Sequence, residues 1–304
     1  MQSPVSHADL RRLSVRSDLP GLRRLATHGV LLAVAAAAVL ATRGRIGSVP
    51  AMALLGVIEV ALFTPLHETT HGTPFRSRAL NVVVGKITGF LLVLPPVRFR
   101  YFHIAHHRHT QDLVGDPELA GVPALTRANY WLRLSGLPYW VGQCHALLAN
   151  ACGRANETWI PVDGRPRVVH EARAFLGAYA LLGGVSIAAH STLAVVFWIL
   201  PVLLGQPALR WVLMAEHAGC PLGDDSYGNT RTTLTAAPVR LLFWNANYHA
   251  EHHLAPTIPF HALPALHELV RDRLGHVEAG YWSAHRGIRA ALWGEARSHV
   301  IERD

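Results

Sequence analysis

The sequence has few charged residues, few cysteines and almost no lysine. Charged residues make up 16% of the 304 residues, whereas an ordinary soluble domain has roughly 25%. Its three cysteines, Cys144, Cys152 and Cys220, form no CxxC pair, which argues against a disulfide framework and against a thiolate zinc site. Lys86 is the only lysine, so arginine supplies nearly all of the positive charge. The shortage of charge predicts a membrane protein, and without an RNA- or DNA-binding motif no nucleic-acid partner is expected.

Apolar runs are present in place of the missing charge. A membrane-crossing helix needs about 20 mostly apolar residues, and residues 22–42 and 49–66 form two such runs. The uncharged run 174–209 is too long for one crossing at ~1.5 Å per residue, so we predict two helices, 174–190 and 192–213, with a turn near His190. Four spans behind a polar tail, residues 1–21, predict one all-α membrane domain covering residues 1–304.

Two further segments are predicted to lie near the membrane surface. Residues 81–96 are apolar but short, and they end in Pro95-Pro96, which favours an in-plane or re-entrant segment over a true span. Residues 130–151 mix Trp, Tyr, Arg and Leu, as is typical of an interfacial helix. Glu59 lies within the second span and is expected either to be functional or to pair with an arginine or polar group nearby.

Arginines predict the orientation of the chain. They are dense before the first span, after the second and before the third, and positive residues favour the cytoplasmic side. Both termini are therefore expected in the cytoplasm, with the chain in a bacterial inner membrane. On this topology, residues 67–173 and 214–304 share the cytoplasmic side.

Eight histidines form three short clusters on that side. The clusters HETTH, HIAHH and HAEHH repeat spacings of three and four residues, which place side chains on one face of a helix. A further histidine stands alone in AEHAGCP. The candidate metal ligands are His67, His71, His103, His106, His107, His217, His249, His252 and His253.

The number of histidines separates two interpretations of HETTH. This stretch fits H-E-x-x-H, in which two histidines hold zinc and the glutamate is the base of a metalloprotease. A lone zinc takes about four ligands, whereas nine imidazoles predict two metals with positions left for oxygen or water. Imidazole binds iron, zinc, copper and nickel. We therefore expect Glu68 to orient a ligand histidine rather than to act as a base.

HETTH, HIAHH and HAEHH resemble the three histidine boxes of the membrane fatty acid desaturase and hydroxylase superfamily, and NYHAEHHLAP resembles the third box in its usual context. The resemblance implies four membrane helices under a cytosolic helical cap that holds two non-haem iron ions. It implies that the nine histidines act in catalysis through these metals, which activate O2 and attack an unactivated C–H bond of a lipid. The sequence has no HPGG haem motif and no Cys-rich ferredoxin pattern, so the two electrons are expected from a separate ferredoxin-like or cytochrome partner.

Several residues near the boxes have open roles. Acyl-CoA desaturases carry an asparagine four residues before the lone histidine, but Leu213 occupies that position here and Asn247 is a candidate substitute. His109 is interpreted as a partner of a ligand histidine or a structural residue rather than as a ligand. Asp112 and Asp116 either fix ligand histidines or form caps and turns. Residues 229–231 form either a polar strap over the site or an ordinary loop.

Three functions fit these patterns. Fatty acyl desaturation is the predicted function. Hydroxylation of a lipid, or ketolation of a carotenoid, is the alternative within the superfamily, because HHRHT…GDPEL and EHHLAP also resemble carotenoid ketolases. A non-enzymatic membrane protein that binds metal is the third possibility. The C-terminal histidines without box spacing are expected to be structural or surface residues: His261, His267, His276, His285 and His299.

Overall fold

The computed structural model describes residues 5–294, and these residues are mostly helical with almost no strand. The prediction of a helical protein is therefore confirmed. The helices are α1 His7–Leu13, α2 Asp18–Thr42, α3 Ser48–Val60, α4 Phe63–His71, α5 Arg78–Leu91, α6 Pro96–His109, α7 Tyr130–Leu134, α8 Leu137–Ala151, α9 Arg165–Ala188, α10 Leu200–His217, α11 Ala237–Leu242, α12 His249–Leu254, α13 Leu263–Val270 and α14 Tyr281–Trp293. Two short strands, β1 Thr232–Thr233 and β2 Val277–Glu278, pair in parallel.

Within residues 5–294, three helical segments are long and apolar enough to cross a membrane. They are α2, the segment Ser48–His71 formed by α3 and α4, and the segment Val195–His217, in which a π-helical turn leads into α10. α3 and α10 touch at Gly56 and Gly205: a Cβ added to Gly56 would lie 1.8 Å from the carbonyl oxygen of Pro201. Only glycine permits such a backbone approach, a common device between membrane helices.

A fourth crossing has two candidates in the structure. α9 contains most of the predicted third span and is long enough to cross with its 24 residues, but its first turns carry Arg165, Arg167 and Arg173, and its composition is less apolar than that of the other three. α5 and α6 together do meet them, but they bend by 98° between Leu91 and Pro96, a geometry in keeping with the re-entrant segment predicted there. The number four stays a prediction.

The break predicted in the long uncharged run is confirmed. α9 ends at Ala188, and the chain resumes helical structure shortly before the π-helical turn at Val195. His190, in the connection, has a φ of 47°, the left-handed conformation that ends a helix. The run therefore forms two helices.

The N-terminal segment belongs to the folded protein, although the sequence predicted only a polar tail. Val5, just before α1, and Leu13, the last residue of α1, are buried against Tyr248, Ile258 and Leu263. These three residues follow or directly precede the third histidine box in the chain. The N-terminal segment therefore packs against the region that carries this box.

Candidate metal centre

Nine histidine side chains converge at the ends of four helices, α4, α6, α10 and α12. They form two groups, and within each group the ligand nitrogens lie within 4.8 Å of one another. The five-histidine group consists of His67, His71, His103, His107 and His252. The four-histidine group consists of His106, His217, His249 and His253. The structure therefore brings together all nine histidines that the sequence singled out.

Helices α6 and α12 each contribute to both groups because neighbouring residues of a helix point in different directions. In α6, His103 and His107 belong to the five-histidine group and His106 to the other. In α12, His252 belongs to the five-histidine group, whereas His249 and His253 belong to the other. Helix α4 serves only the first group, and α10 serves only the second.

Local sequence determines where the ligand-bearing helices begin and end. α4 ends at Gly72, whose φ of 66° is the left-handed conformation favoured by glycine. α6 begins at Pro96, where proline is tolerated because the first backbone N–H groups of a helix have no partner within it. The Glu171 carboxylate accepts a hydrogen bond from the next such group, the N–H of Val97, at 2.8 Å. α9 therefore holds the start of the helix that carries the second box.

The imidazole nitrogens face one another as ligands of a shared cation would. His103 Nε2 lies 2.9 Å from Nε2 of His71 and 2.9 Å from Nε2 of His107. His249 Nε2 lies 2.8 Å from Nε2 of His217. A neutral imidazole has one N–H donor, so protons cannot pair every nitrogen in such a chain of contacts. A metal cation accepts all of these lone pairs, and the residues present therefore fit metal binding.

Burial favours the protonation state that binds metal. It lowers the pKa of His249, His252 and His253 well below the ordinary histidine value, and the neighbouring histidines lower it further. Both effects oppose a positive charge on the ring. Because metals bind the neutral imidazole, α12 presents three side chains already in the ligating form.

Two of the predicted carboxylates contact the outer nitrogens of these histidines. Glu68 Oε1 lies 3.7 Å from His67 Nδ1 and 3.9 Å from His252 Nδ1. Asp116 Oδ1 is hydrogen-bonded to His106 Nδ1 at 2.9 Å. A carboxylate at Nδ1 fixes the tautomer and ring orientation and leaves Nε2 free for a metal.

The side chains of the remaining residues predicted near the ligands form no hydrogen bond with a ligand histidine among residues 5–294. His109 is outside both groups, 3.9 Å from Oδ2 of Asp112, and both side chains are largely exposed. Asp112 instead accepts a hydrogen bond from the backbone of Val114, as in a turn. Asn247 is buried, and within residues 5–294 its amide nitrogen and oxygen have no hydrogen-bond partner. Oε2 of Glu59 likewise has no hydrogen-bond partner, and Glu59 forms no ion pair in the described part of the chain.

Sequence reasoning missed two supports of the four-histidine group. Glu216 Oε1 lies 3.6 Å from His249 Nδ1, and the Thr110 hydroxyl contacts His253 Nδ1 at 3.1 Å. Glu216 directly precedes the lone histidine in AEHAGCP. That adjacency was the available signal, because an acidic residue beside a predicted ligand also lies near the site.

A fourth carboxylate, Glu251, fixes the helix of the third box. Glu251 is fully buried, accepts a hydrogen bond from the Thr232 hydroxyl at 2.5 Å and pairs with His267 Nδ1. His267 is therefore structural, as expected, and so is His285, which is hydrogen-bonded to Tyr130. His299 lies outside the described residues.

Residues 229–231 tie the end of α10 to the rest of the site. All three are buried. Arg231 donates hydrogen bonds to the carbonyl oxygens of Ala215 and Ala218, which flank His217, and Asn229 donates to Gly223 at 3.0 Å. Cations stabilise the carbonyl end of a helix, so Arg231 holds the helix end that presents the lone histidine.

An apolar cavity and a polar cleft both reach the histidines. A cavity of about 360 Å³ contacts members of both groups, and most of its remaining wall is apolar, including Phe63, Phe99, Phe102, Leu213 and Phe243. A polar cleft of about 730 Å³ reaches His107 and His253, which do not line the apolar cavity. An apolar cavity with polar groups converging at one place is the usual form of a small-molecule site.

Comparison with known proteins agrees with this site. Residues 45–285 match the fatty acid desaturase family. A β-carotene ketolase from a Paracoccus strain is 30% identical over 220 residues, 68% of this chain and 74% of the ketolase. A dihydrorhizobitoxine desaturase from Bradyrhizobium elkanii is 26% identical over 260 residues, 80% of this chain and 70% of the desaturase.

A sphingolipid delta(4)-desaturase from Drosophila melanogaster is 23% identical over 239 residues, 71% of this chain. The match spans 64% of that desaturase. These relatives include both desaturases and a ketolase, so they agree on the type of oxidoreductase and differ in the reaction that their names describe.

Proposed function

The chain belongs to the fatty acid desaturase family, and from this premise we propose that it is an O2-dependent fatty acyl desaturase with a non-haem di-iron centre. The observation that carries the proposal is that one apolar cavity contacts both histidine groups. A protein that only stores metal has no need of such a cavity. The nine histidines are the proposed ligands, five for one iron and four for the other.

Iron at this site supplies the chemistry that side chains lack. An aliphatic C–H bond is not acidic, so no general base removes its hydrogen, and two bound irons with O2 and two electrons supply the oxidising power that is needed. The protein's own contribution is to hold and orient the substrate and to limit the access of water. The apolar wall of the cavity, including Phe99 and Phe102 beside His103, performs this role.

Glu68, Asp116 and Glu216 orient the ligand rings in this proposal. Each lies at the Nδ1 side of a proposed ligand, so each favours the tautomer in which Nε2 binds metal. Asn247 is proposed as a polar neighbour of the site, because it is buried two residues before His249 with an unpartnered amide. Asp112 and His109 have no part in the proposed site.

Electrons are proposed to enter from a separate protein, ferredoxin-like or a cytochrome. The polar cleft offers the place, since it exposes His107 and His253 without passing through the apolar cavity. The substrate and the electron donor therefore approach the metals from separate openings. This separation keeps the acyl chain out of water while the donor binds at a polar surface.

Oxygenation of a lipid or carotenoid is the second candidate function. The 30% identity to a β-carotene ketolase favours it, and histidine ligands do not distinguish loss of two hydrogens from gain of oxygen. The position of the substrate in the cavity decides which reaction follows. The experiment below separates the two products.

We further propose four crossings in a bacterial inner membrane, with both termini and the metal centre on the cytoplasmic side. Ser48–His71 and Val195–His217 both end at the histidines. The chain between them must therefore return across the membrane once. α9 spans about 36 Å at ~1.5 Å per residue, enough for that return, and the whole chain, residues 1–304, then forms one domain.

A lipid mass profile tests the proposed function. A simple bacterial host expresses the chain with a ferredoxin system, beside the same host expressing His252→Ala. Acyl chains that lose two hydrogens only with the intact protein are the expected result, and the position of the new double bond follows from fragmentation. A gain of oxygen in place of this loss contradicts desaturation and supports the second candidate. If acyl lipids stay unchanged, the host is supplied with carotenoids.

A further inference from the structure

Arg210 lies in an unusual place, on a helix otherwise apolar enough to cross a membrane. It belongs to the segment Val195–His217 and lines the apolar cavity that reaches the histidines. An ionisable side chain inside a membrane helix is costly and generally serves a function. Because Arg210 lines the cavity, it can contact a molecule bound there, a role that packing alone does not provide.

The charge of Arg210 has no partner among residues 5–294. No carboxylate oxygen of these residues lies within 4.0 Å of its guanidinium. The group stacks on the ring of Tyr139, 4.4 Å from its centre. With the Gln206 amide turned to satisfy both groups, its oxygen accepts hydrogen bonds from Arg210 Nε at 3.1 Å and Nη2 at 3.3 Å. These contacts hold the planar group in place without a direct ion pair.

The second arginine of the same cavity provides a contrast. Arg98 forms an ion pair with Glu157 at 3.2 Å and lies over the ring of Trp159, 5.1 Å from its centre. Its charge is therefore used within the protein. Of the two arginines that line the cavity, only Arg210 is held by uncharged groups.

The distance from Arg210 to the metal centre follows from helix geometry. Arg210 and His217 stand seven residues apart on α10, about 10 Å along the axis at ~1.5 Å per residue. Leu213 lies between them on the same face, and all three line the cavity. A bound hydrocarbon chain that starts at Arg210 and runs along α10 therefore contacts the apolar wall of the cavity before it reaches the histidines.

We propose that Arg210 binds the carboxylate of an unesterified acyl substrate and that the acyl chain extends from there to the metal centre. This inference rests on the proposed acyl specificity. The planar guanidinium matches a carboxylate with two parallel hydrogen bonds. A phosphate, with its greater negative charge, fits less well because Glu118 and Glu216 add negative charge near Arg210. A hydrocarbon without a polar end leaves the arginine charge unpaired.

Ligand binding to the iron-loaded full-length protein in detergent tests this inference without turnover. The probes are octadecanoate, octadecanol and octadecyl phosphate, titrated in the absence of reductant. We expect octadecanoate to bind tightest. Arg210→Gln should weaken octadecanoate binding about tenfold or more, the loss expected for a charge-assisted hydrogen bond. Arg210→Lys should retain part of the affinity, and octadecanol should bind all variants alike.

Controls keep the outcome interpretable. Arg271→Gln, at an exposed arginine paired only with neighbouring residues of its own segment, should bind all probes like the original protein. Unchanged iron content and octadecanol affinity show that Arg210→Gln is folded. Equal affinity of the original protein for acid and alcohol, or tighter binding of the phosphate, overturns the inference and needs no variant.

The inference and the proposed function fail in different ways. An oxygenated lipid in the host assay contradicts desaturation and leaves the preference for a carboxylate intact. Desaturated lipid in the host, together with no preference for octadecanoate over octadecanol, contradicts the role of Arg210 alone.

Discussion

The two histidine groups share helices α6 and α12 but differ in how their imidazoles are supported. In the five-histidine group, one carboxylate, Glu68, lies beside two rings at 3.7 and 3.9 Å. In the four-histidine group, three different side chains each contact one ring: Asp116 at 2.9 Å, Glu216 at 3.6 Å and Thr110 at 3.1 Å. The four-histidine group therefore has more side chains beside the Nδ1 atoms of its rings, here called outer partners, than the five-histidine group.

This difference indicates separate roles for the two sites. Five imidazoles leave few coordination positions free around a metal, and this number of ligands alone restricts where the metal can bind. Four imidazoles leave more room for exogenous ligands, so their orientation depends more on outer hydrogen bonds. The four-histidine site is therefore expected to be the more sensitive to changes in its outer partners, and the predictions below test this asymmetry.

The largest expected effect comes from removing a ligand. His252→Ala deletes a nitrogen of the five-histidine group and should abolish turnover and lower iron content, a loss beyond the ~10–100-fold typical of an outer partner. Product analysis and iron analysis measure it. His276→Ala is the control, because His276 belongs to neither group and its change should be nearly silent. Full activity of His252→Ala would contradict the ligand assignment.

Asp116→Asn tests the outer partners of the four-histidine group. The change weakens the contact that fixes His106, so iron affinity at that site should fall ~10–100-fold. An iron titration followed by Mössbauer spectroscopy distinguishes the two sites. Asp112→Asn is the matched control four residues away, exposed and bonded only within its turn. Equal losses in both variants would show that the structure separates these carboxylates wrongly.

Glu68→Gln tests the five-histidine group in the same way and should have a smaller effect. Its contacts to His67 and His252 are longer than the Asp116 contact, and five nitrogens remain. Iron affinity should fall less than in Asp116→Asn under identical conditions. The reverse order would remove the asymmetry inferred between the groups.

The smallest effect concerns the start of α6, which serves both groups. Glu171 accepts a hydrogen bond from the N–H of Val97 at 2.8 Å, so Glu171→Ala should lower the free energy of unfolding by ~0.5–1.5 kcal/mol. Thermal unfolding in detergent should show this loss in Glu171→Ala and less of it in Glu171→Gln, which keeps an acceptor oxygen. Equal stability of Glu171→Ala and the original protein would contradict the role of this contact.

Helical spacing allowed eight of the nine histidines to be predicted, because it places them on shared faces. His217 stands alone, and its prediction as a ligand rested on the resemblance to a known family. The sequence did not separate Asp112 from Asp116, since both follow the second box at short range. The distinction arises from the turn after α6, where Asp116 Oδ2 accepts a hydrogen bond from the backbone of Gln111 at 2.9 Å and its other oxygen reaches His106. A turn of this kind produces no periodic pattern in the sequence, so it could not be predicted.

The same limit applies to the spans. Hydropathy identified the apolar run 174–209 and its turn, but it could not show that α5 and α6 bend sharply at Pro95-Pro96. Composition counts residues, whereas a bend depends on where the backbone can turn. The N-terminal segment shows the same limit: Val5, Leu10 and Leu13 lie among polar residues in the sequence, and only the folded structure provides the surface against which they pack.

The shared helices also have a consequence for assembly of the centre. Because α6 and α12 carry ligands of both groups, in the proposed di-iron centre the first iron to bind would fix the rotation and height of two helices on which the second site also depends. The second iron would then meet ligands already ordered, so its binding would cost less conformational entropy. Loading should therefore be cooperative, and a sample given half an equivalent of iron per site should contain mainly empty and fully loaded molecules.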